Sequence, residues 1–218
     1  MAKLLTLKNM ARLEPAEITK FLERELDIKN IFMVVGKPGS GKSTFLKIIK
    51  EIDGDAYGID TDAYSKELRP LLEQRFGNAD FIDIAINRPA ELIETIAAKW
   101  LKMAAASLAQ APVNANVFVE VPYGLRPEFE MFRYFGAKVI YIGNENPEQN
   151  EARIRARGNP QTMRFLEVIP GKTETAAIAA KKGLQVIYID TSKALTDLRA
   201  DAKVLLDRIN APANLREL

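Results

Sequence analysis

Nine consecutive residues, Gly36-Lys37-Pro38-Gly39-Ser40-Gly41-Lys42-Ser43-Thr44, constrain this chain more than any other stretch. They fill the pattern G-x-x-x-x-G-K-[ST] between an apolar run, Ile31–Val35, and a helix-forming run, Lys42–Ile52. Gly36, Gly39 and Gly41 permit positive φ and let the backbone crowd an anion. Successive N–H groups then point into one concavity, and the dipole of the following helix adds to their pull on phosphate. Pro38, Ser40 and Thr44 complete the loop. A strand, a loop of this kind and a helix in that order predict a parallel α/β sheet.

The rest of the chain agrees. Short apolar runs at Tyr57–Asp60, Asn116–Val121, Lys138–Ile142 and Gln185–Asp190 predict four more strands, apolar on both faces as buried parallel strands are. Helices are expected at Tyr64–Phe76, Pro89–Ala109, Pro127–Phe135, Pro147–Arg157, Thr173–Lys182 and Ser192–Ile209. Pro89, Pro127 and Pro147 each stand at a first helical position. The fold class is therefore α/β: a three-layer sheet of five parallel strands with helices on both faces. Residues 31–210 form one domain in this reading, with an arginine-bearing lid at 147–173, and 211–218 a tail. Residues 1–30 are an N-terminal extension, in which Ile18, Phe21, Leu22 and Leu26 line one face of a helix over Pro15–Leu26.

Composition removes several chemistries. The 218 residues include no cysteine and no histidine, so thiolate nucleophiles, Ser-His-Asp arrangements and Cys-based zinc sites are excluded. A general base must be a carboxylate, a lysine or water. The net charge of +2 neither demands nor excludes a nucleic-acid partner. No apolar run approaches a membrane span and no signal-peptide core is present, so a cytoplasmic protein is expected.

With a triphosphate in the loop, Lys42 is expected to bridge its β- and γ-phosphates and Ser43 to hold Mg²⁺, which makes ATP and Mg²⁺ the cofactors. Asp60-Thr61-Asp62 closes the second strand, where ligands of open parallel sheets bind. Asp62 is the expected catalytic base, with Asp60 an orienting or metal partner; the alternative for Asp62 is a structural cap of the next helix. Glu120, ending the third strand, is expected to hold a magnesium-bound water or to touch the substrate. Arg153 and Arg157 lie four apart on one helix face and are expected to stabilise charge developing in transfer. Arg88, Tyr123 and Arg126 are candidates for substrate binding.

Together these residues resemble the nucleoside and nucleotide kinases among P-loop proteins, and within them the dephospho-coenzyme A kinase family. The match runs through the phosphate loop, Asp60-Thr61-Asp62, Phe76-Gly77, Arg88, Glu120-Val121-Pro122, Gln149 with Arg153 and Arg157, and Asp190-Thr191-Ser192. The resemblance implies ATP on Lys42 and Ser43, Asp62 as base, a lid carrying Arg153 and Arg157, and an adenine-side turn at Asp190-Thr191-Ser192. The chain departs from that family in having no His-Pro element and in reading Tyr123-Gly124-Leu125-Arg126 after Val-Pro. It also resembles phage deoxynucleotide kinases and phage kinases acting on 5-hydroxymethyluracil in DNA.

The acceptor is thus expected to be nucleotide-like, or nucleic acid at a hydroxymethyl or 5′-hydroxyl group. For DNA, Arg126, Arg133, Arg153, Arg155, Arg157, Arg164, Lys172, Lys181 and Lys182 would meet phosphates, and Tyr123 or Phe165 a base. Two readings compete with the kinase: a P-loop ATPase or switch with no phosphoryl acceptor, and a non-enzymatic nucleotide-binding module.

Overall fold

The computed structural model describes residues 30–211 apart from 122, 123, 125, 134–136, 145, 157, 159–162, 164, 165 and 167. The expected N-terminal helix, the C-terminal tail beyond 211, Tyr123, Arg157, Arg164 and Phe165 lie outside the described residues.

Five strands, β1 (Asn30–Val35), β2 (Tyr57–Asp60), β3 (Asn116–Glu120), β4 (Lys138–Gly143) and β5 (Val186–Asp190), form one sheet in the order β2-β3-β1-β4-β5. Every neighbouring pair is parallel. The helices are α1 (Lys42–Ile52), α2 (Ser65–Phe76), α3 (Phe81–Asn87), α4 (Pro89–Leu108), α5 (Arg126–Arg133), α6 (Pro147–Ala156), α7 (Lys172–Lys181) and α8 (Leu195–Asn210), with a 3₁₀ turn at Thr61–Tyr64 before α2.

Side chains of a strand alternate between faces, so a doubly covered sheet needs two cores. Phe32 and Val34 of β1 pack with Phe45, Ile48 and Ile49 of α1 and with Leu198, Ala202 and Leu205 of α8. Met33 and Val35 point the other way, into Leu92, Ile96 and Trp100 of α4 and Phe129 and Phe132 of α5. Phe32 stacks on Phe118 at 5.1 Å between ring centroids, and Trp100 meets Phe132 edge-on at 5.2 Å. Such pairs add about 0.5–1.5 kcal/mol to the burial of their rings. The alternation is the reason β1 tolerates no polar residue between Ile31 and Val35.

The order of the strands places the site. From β1 the chain crosses to β2, returns to β3, then passes to β4 on the other side of β1. The strand order thus reverses at β1, and ligands of open parallel sheets bind beyond the carboxyl ends of the strands at such a switch point. The loop after β1 occupies that position.

One helix differs from expectation. The sequence reading leaves residues 77–88 without an element. The structure forms α3 there, with Asp80 Oδ1 accepting from Ile82 N at 2.8 Å. That cap satisfies one of the orphan donors of the first turn, and Ile82, Ile84 and Ala85 are buried.

Candidate phosphate-binding and transfer site

The loop has the backbone that its glycines allow. Gly39 and Gly41 take φ of 76° and 93°, values that L side chains rarely adopt. A Cβ on Gly39 would sit 2.8 Å from the carbonyl oxygen of Asn150, and one on Gly36 would strike Ile142 O. Ser40 is buried behind the loop, and its carbonyl accepts from the Thr191 hydroxyl, which also donates to Gly143 O at 3.0 Å. Thr191, just after β5, therefore ties the loop to the end of β4. Thr44 is exposed in the first turn of α1.

Lys42 and Ser43 open α1 side by side. Lys42 Nζ donates to Gly36 O at 2.9 Å, returning the ammonium to the first residue of the same loop. The Ser43 hydroxyl donates to the Glu120 carboxylate, at 3.3 Å to Oε1 and 3.4 Å to Oε2. Residues 43 and 120 are far apart in sequence; the β1–β3 pairing brings them together, Val34 standing opposite Glu120.

Asp60 is the register partner of Glu120 across β2 and β3. Its Oδ1 accepts from Asp62 N at 2.9 Å and caps the 3₁₀ turn. The cap of this turn is thus Asp60 rather than Asp62, and it orients the turn carrying Asp62. Thr61 is buried, its hydroxyl donating to Glu120 O at 3.0 Å, so the turn is also fastened to β3.

These carboxylates perturb one another. Loss of hydration pushes the Asp62 carboxyl above its ordinary value, the negative charge of Asp60 pushes it further, and Lys42 opposes both. Glu120 is raised for the same first reason; Lys42 and the Ser43 hydroxyl hold it down, while Asp60 and Asp62 raise it. One ammonium and three carboxylates therefore share a field at the ends of β2 and β3. Among the described residues no group of three or more acidic side chains converges to hold a cation unaided. A hydroxyl beside one carboxylate does suit Mg²⁺, which keeps several waters and takes one or two protein ligands together with phosphate oxygens.

The basic candidates divide. Arg153 of α6 reaches the loop, its Nη1 donating to Gly39 O at 3.1 Å. Lys37 spans to the same side, Nζ donating to Leu166 O at 2.7 Å. Arg88 grips Glu91 with both arms of its fork, at 2.8 Å from Nε and 2.6 Å from Nη2, and lies over the Phe76 ring at 4.7 Å. Arg126 is exposed at the start of α5, and Arg155 pairs with Glu151 at 3.7 Å. Of the arginines described, Arg153 is the one bonded to the phosphate loop.

Two clefts flank this constellation. One, of about 1070 Å³, runs past Lys37, Asn144, Asn150, Asp190 and Lys193. The other, of about 730 Å³, opens at Asp62 between α2, α3 and α4. The sequence reading did not identify Asn150, Lys37 or the second cleft. Lys37 stands at a free position of the motif, and the cleft depends on α3, which it did not anticipate.

No protein-family model matches the chain. Endonuclease MutS2 of Streptococcus thermophilus strains is 21% identical over 180 residues, or 82% of this chain and 21% of the relative. The chain thus spans about a fifth of the length of the curated relatives it matches. Among solved structures, TT1252 from Thermus thermophilus aligns with a TM-score of 0.54 at 16% identity, over 84% of this chain and 98% of that one. Shikimate kinase from Acinetobacter baumannii, in complex with shikimate, gives a TM-score of 0.45 at 18% identity, over 88% and 96%. The chain has the α/β P-loop NTPase fold, with a five-stranded parallel sheet. Among the described residues no helix is long and apolar enough to cross a membrane.

Proposed function

We propose that the chain is an ATP-dependent phosphotransferase of the P-loop kinase type. The observation that carries the reading is the convergence of Lys42, Ser43, Glu120 and Asp62 from three separate segments onto one side of the loop. The loop N–H groups and Lys42 would hold the triphosphate, and the cleft beside Lys37, Asp190 and Lys193 would take its nucleoside end. Ser43 and Glu120 would hold Mg²⁺, which neutralises charge on the phosphates when bound. Asp62, its carboxyl held above the ordinary value by its surroundings, would take the proton of an acceptor hydroxyl. Arg153 would steady the loop through Gly39 and lend positive charge beside the transferring group.

The expectation of a nucleotide-like or nucleic-acid acceptor asks for cations on the acceptor side. Arg88 is engaged with Glu91, and Tyr123 and Arg157 lie outside the described residues. The acceptor class therefore turns on the cleft at Asp62.

The carboxylates of Asp62 and Glu120 beside the loop would orient a water as well as an alcohol, which supports one second reading, a nucleotide-hydrolysing module whose acceptor is water. Formation of ADP with and without added alcohols and nucleotides separates the two. The phosphotransferase reading expects acceptor-dependent ADP in the wild type and none in Lys42→Ala. ADP formed at one rate whatever is added would sink it.

A further inference from the structure

The turn that carries Asp62 is fastened on its inner side. A 3₁₀ helix has three residues per turn, so positions i and i+3 fall on one side. In Thr61–Tyr64 that pair is Thr61 and Tyr64, both buried, while Asp62 and Ala63 are exposed. Each buried member carries a hydroxyl that ends on a different element. Thr61 donates to Glu120 O of β3 at 3.0 Å. Tyr64 donates to Ser107 Oγ of α4 at 2.7 Å, with Met103 O a longer second acceptor at 3.4 Å. The Tyr64 ring meets Trp100 edge-on at 6.1 Å. Loss of hydration raises the Tyr64 hydroxyl above its ordinary value, with Ser107 opposing, so its proton stays in place at neutral pH.

Phenylalanine would fill the same space without burying a hydroxyl, and a buried hydroxyl costs stability unless it is bonded. Packing therefore explains the ring but not the oxygen. What the oxygen adds is a fixed direction: with the Thr61 bond it pins the turn at both ends, to β3 and to α4. Such support matters where a carboxylate must reach one proton, since a misplacement of about 1 Å can cost on the order of 10²-fold in rate. We infer that Tyr64 and Ser107 are positioning residues for Asp62, holding its carboxylate at the acceptor oxygen from behind the turn. The inference rests on the phosphotransferase reading with Asp62 as base. In that step the acceptor hydroxyl gives its proton to Asp62 and its oxygen bonds to the γ-phosphorus of the nucleoside triphosphate. The bond from that phosphorus to the bridging oxygen breaks, and the diphosphate leaves with the electron pair.

The test follows ADP formed by the full chain from Mg·ATP, with the small-molecule fraction of a cell extract as the acceptor pool. Tyr64→Phe keeps the ring and should lower kcat on the order of tenfold at unchanged KM for ATP. Ser107→Ala leaves Met103 O to the phenol and should give a smaller loss of the same kind. In the Asp62→Asn background Tyr64→Phe should cost nothing further, because no base remains to be positioned. A merely structural tyrosine would instead slow both backgrounds by one factor. Amide exchange supplies a readout free of turnover. The Asp62 and Ser65 N–H groups, bonded to Asp60 Oδ1 and Asp62 O, should exchange faster in Tyr64→Phe, with β3 unchanged. Undiminished turnover, unchanged exchange at both amides, or equal losses with and without Asp62 overturns the inference. Label from γ-labelled ATP is read in the same samples. Label only in free phosphate, with the Tyr64 and Asp62 effects still coupled, sinks the phosphotransferase reading and leaves the positioning role standing. Label in an organic phosphoester with Tyr64→Phe unimpaired does the opposite.

Discussion

The Ser43 hydroxyl donates to Glu120, at 3.3 Å from Oε1, across a β1–β3 pairing that holds Val34 opposite Glu120. The pair is the structure's strongest argument for a bound cation. A hydroxyl that ligates magnesium needs a partner that fixes its orientation, and loss of such partners typically costs about 10–100-fold in metal affinity or activity. Glu120→Gln should therefore raise the Mg²⁺ concentration for half-maximal turnover by about that factor while ATP still binds. An unchanged magnesium titration would remove Glu120 from the metal's surroundings.

Asp62 and Glu120 predict a pH signature of both stability and rate. Both carboxyls are raised above their ordinary values of 3.8 and 4.5. The folded state therefore prefers them protonated. Their contribution to stability is fully present below the unfolded values and is lost as pH rises through the folded ones. Asp62→Asn and Glu120→Gln should each raise Tm at neutral pH, with the gain fading in acid. For the rate, the base must be ionised, so the acidic limb of kcat/KM should lie above the ordinary Asp value, and Asp62→Asn should lose about 10²–10⁴-fold. Full transfer by Asp62→Asn would give the base role to another group.

Asp60 separates orientation from charge. Asp60→Asn keeps an oxygen to accept from Asp62 N but removes a like charge, so the acidic limb should move down in pH with the turn intact. Asp60→Ala removes the cap as well, at a typical cost of about 1 kcal/mol. Turnover should fall in the alanine variant well beyond the asparagine one. Equal effects of the two would show that the hydrogen bond of 2.9 Å positions nothing.

Gly39 is held where only glycine fits, with φ of 76° and Asn150 O 2.8 Å from the position of an added Cβ. The left-handed region alone costs another residue about 1–2 kcal/mol. Gly39→Ala should displace α6 from the loop and weaken ATP binding, measured by calorimetry, with far-UV circular dichroism unchanged. Arg153→Ala should reproduce part of that loss, because Nη1 bonds Gly39 O. Normal affinity in both variants would disconnect α6 from nucleotide binding.

Much of this was legible in the residues. Local pattern located the strands to within a residue, since Ile31–Val35 and Asn116–Val121 can be covered only on both faces. The loop was legible because glycines and Lys42-Ser43 serve one purpose at fixed spacing. Pairing of distant residues was not. Nothing near Glu120 in sequence points to Ser43, and nothing near Arg153 points to Gly39. The helix α3, at seven residues, is too short to show a helical period in the sequence. With it went the cleft at Asp62. Short-range chemistry is written along the chain, whereas a cleft is assembled from α2, α3, α4 and α5 together.

The central claim is that the γ-phosphoryl group held by this loop passes to a hydroxyl. The most direct measurement incubates the full chain with Mg²⁺ and γ-labelled ATP in the presence of the small-molecule fraction of a cell extract, and follows the label. The account predicts label in an organic phosphoester, absent with Lys42→Ala and strongly reduced with Asp62→Asn. Label that appears only as inorganic phosphate, at the same rate with and without the extract, would contradict it.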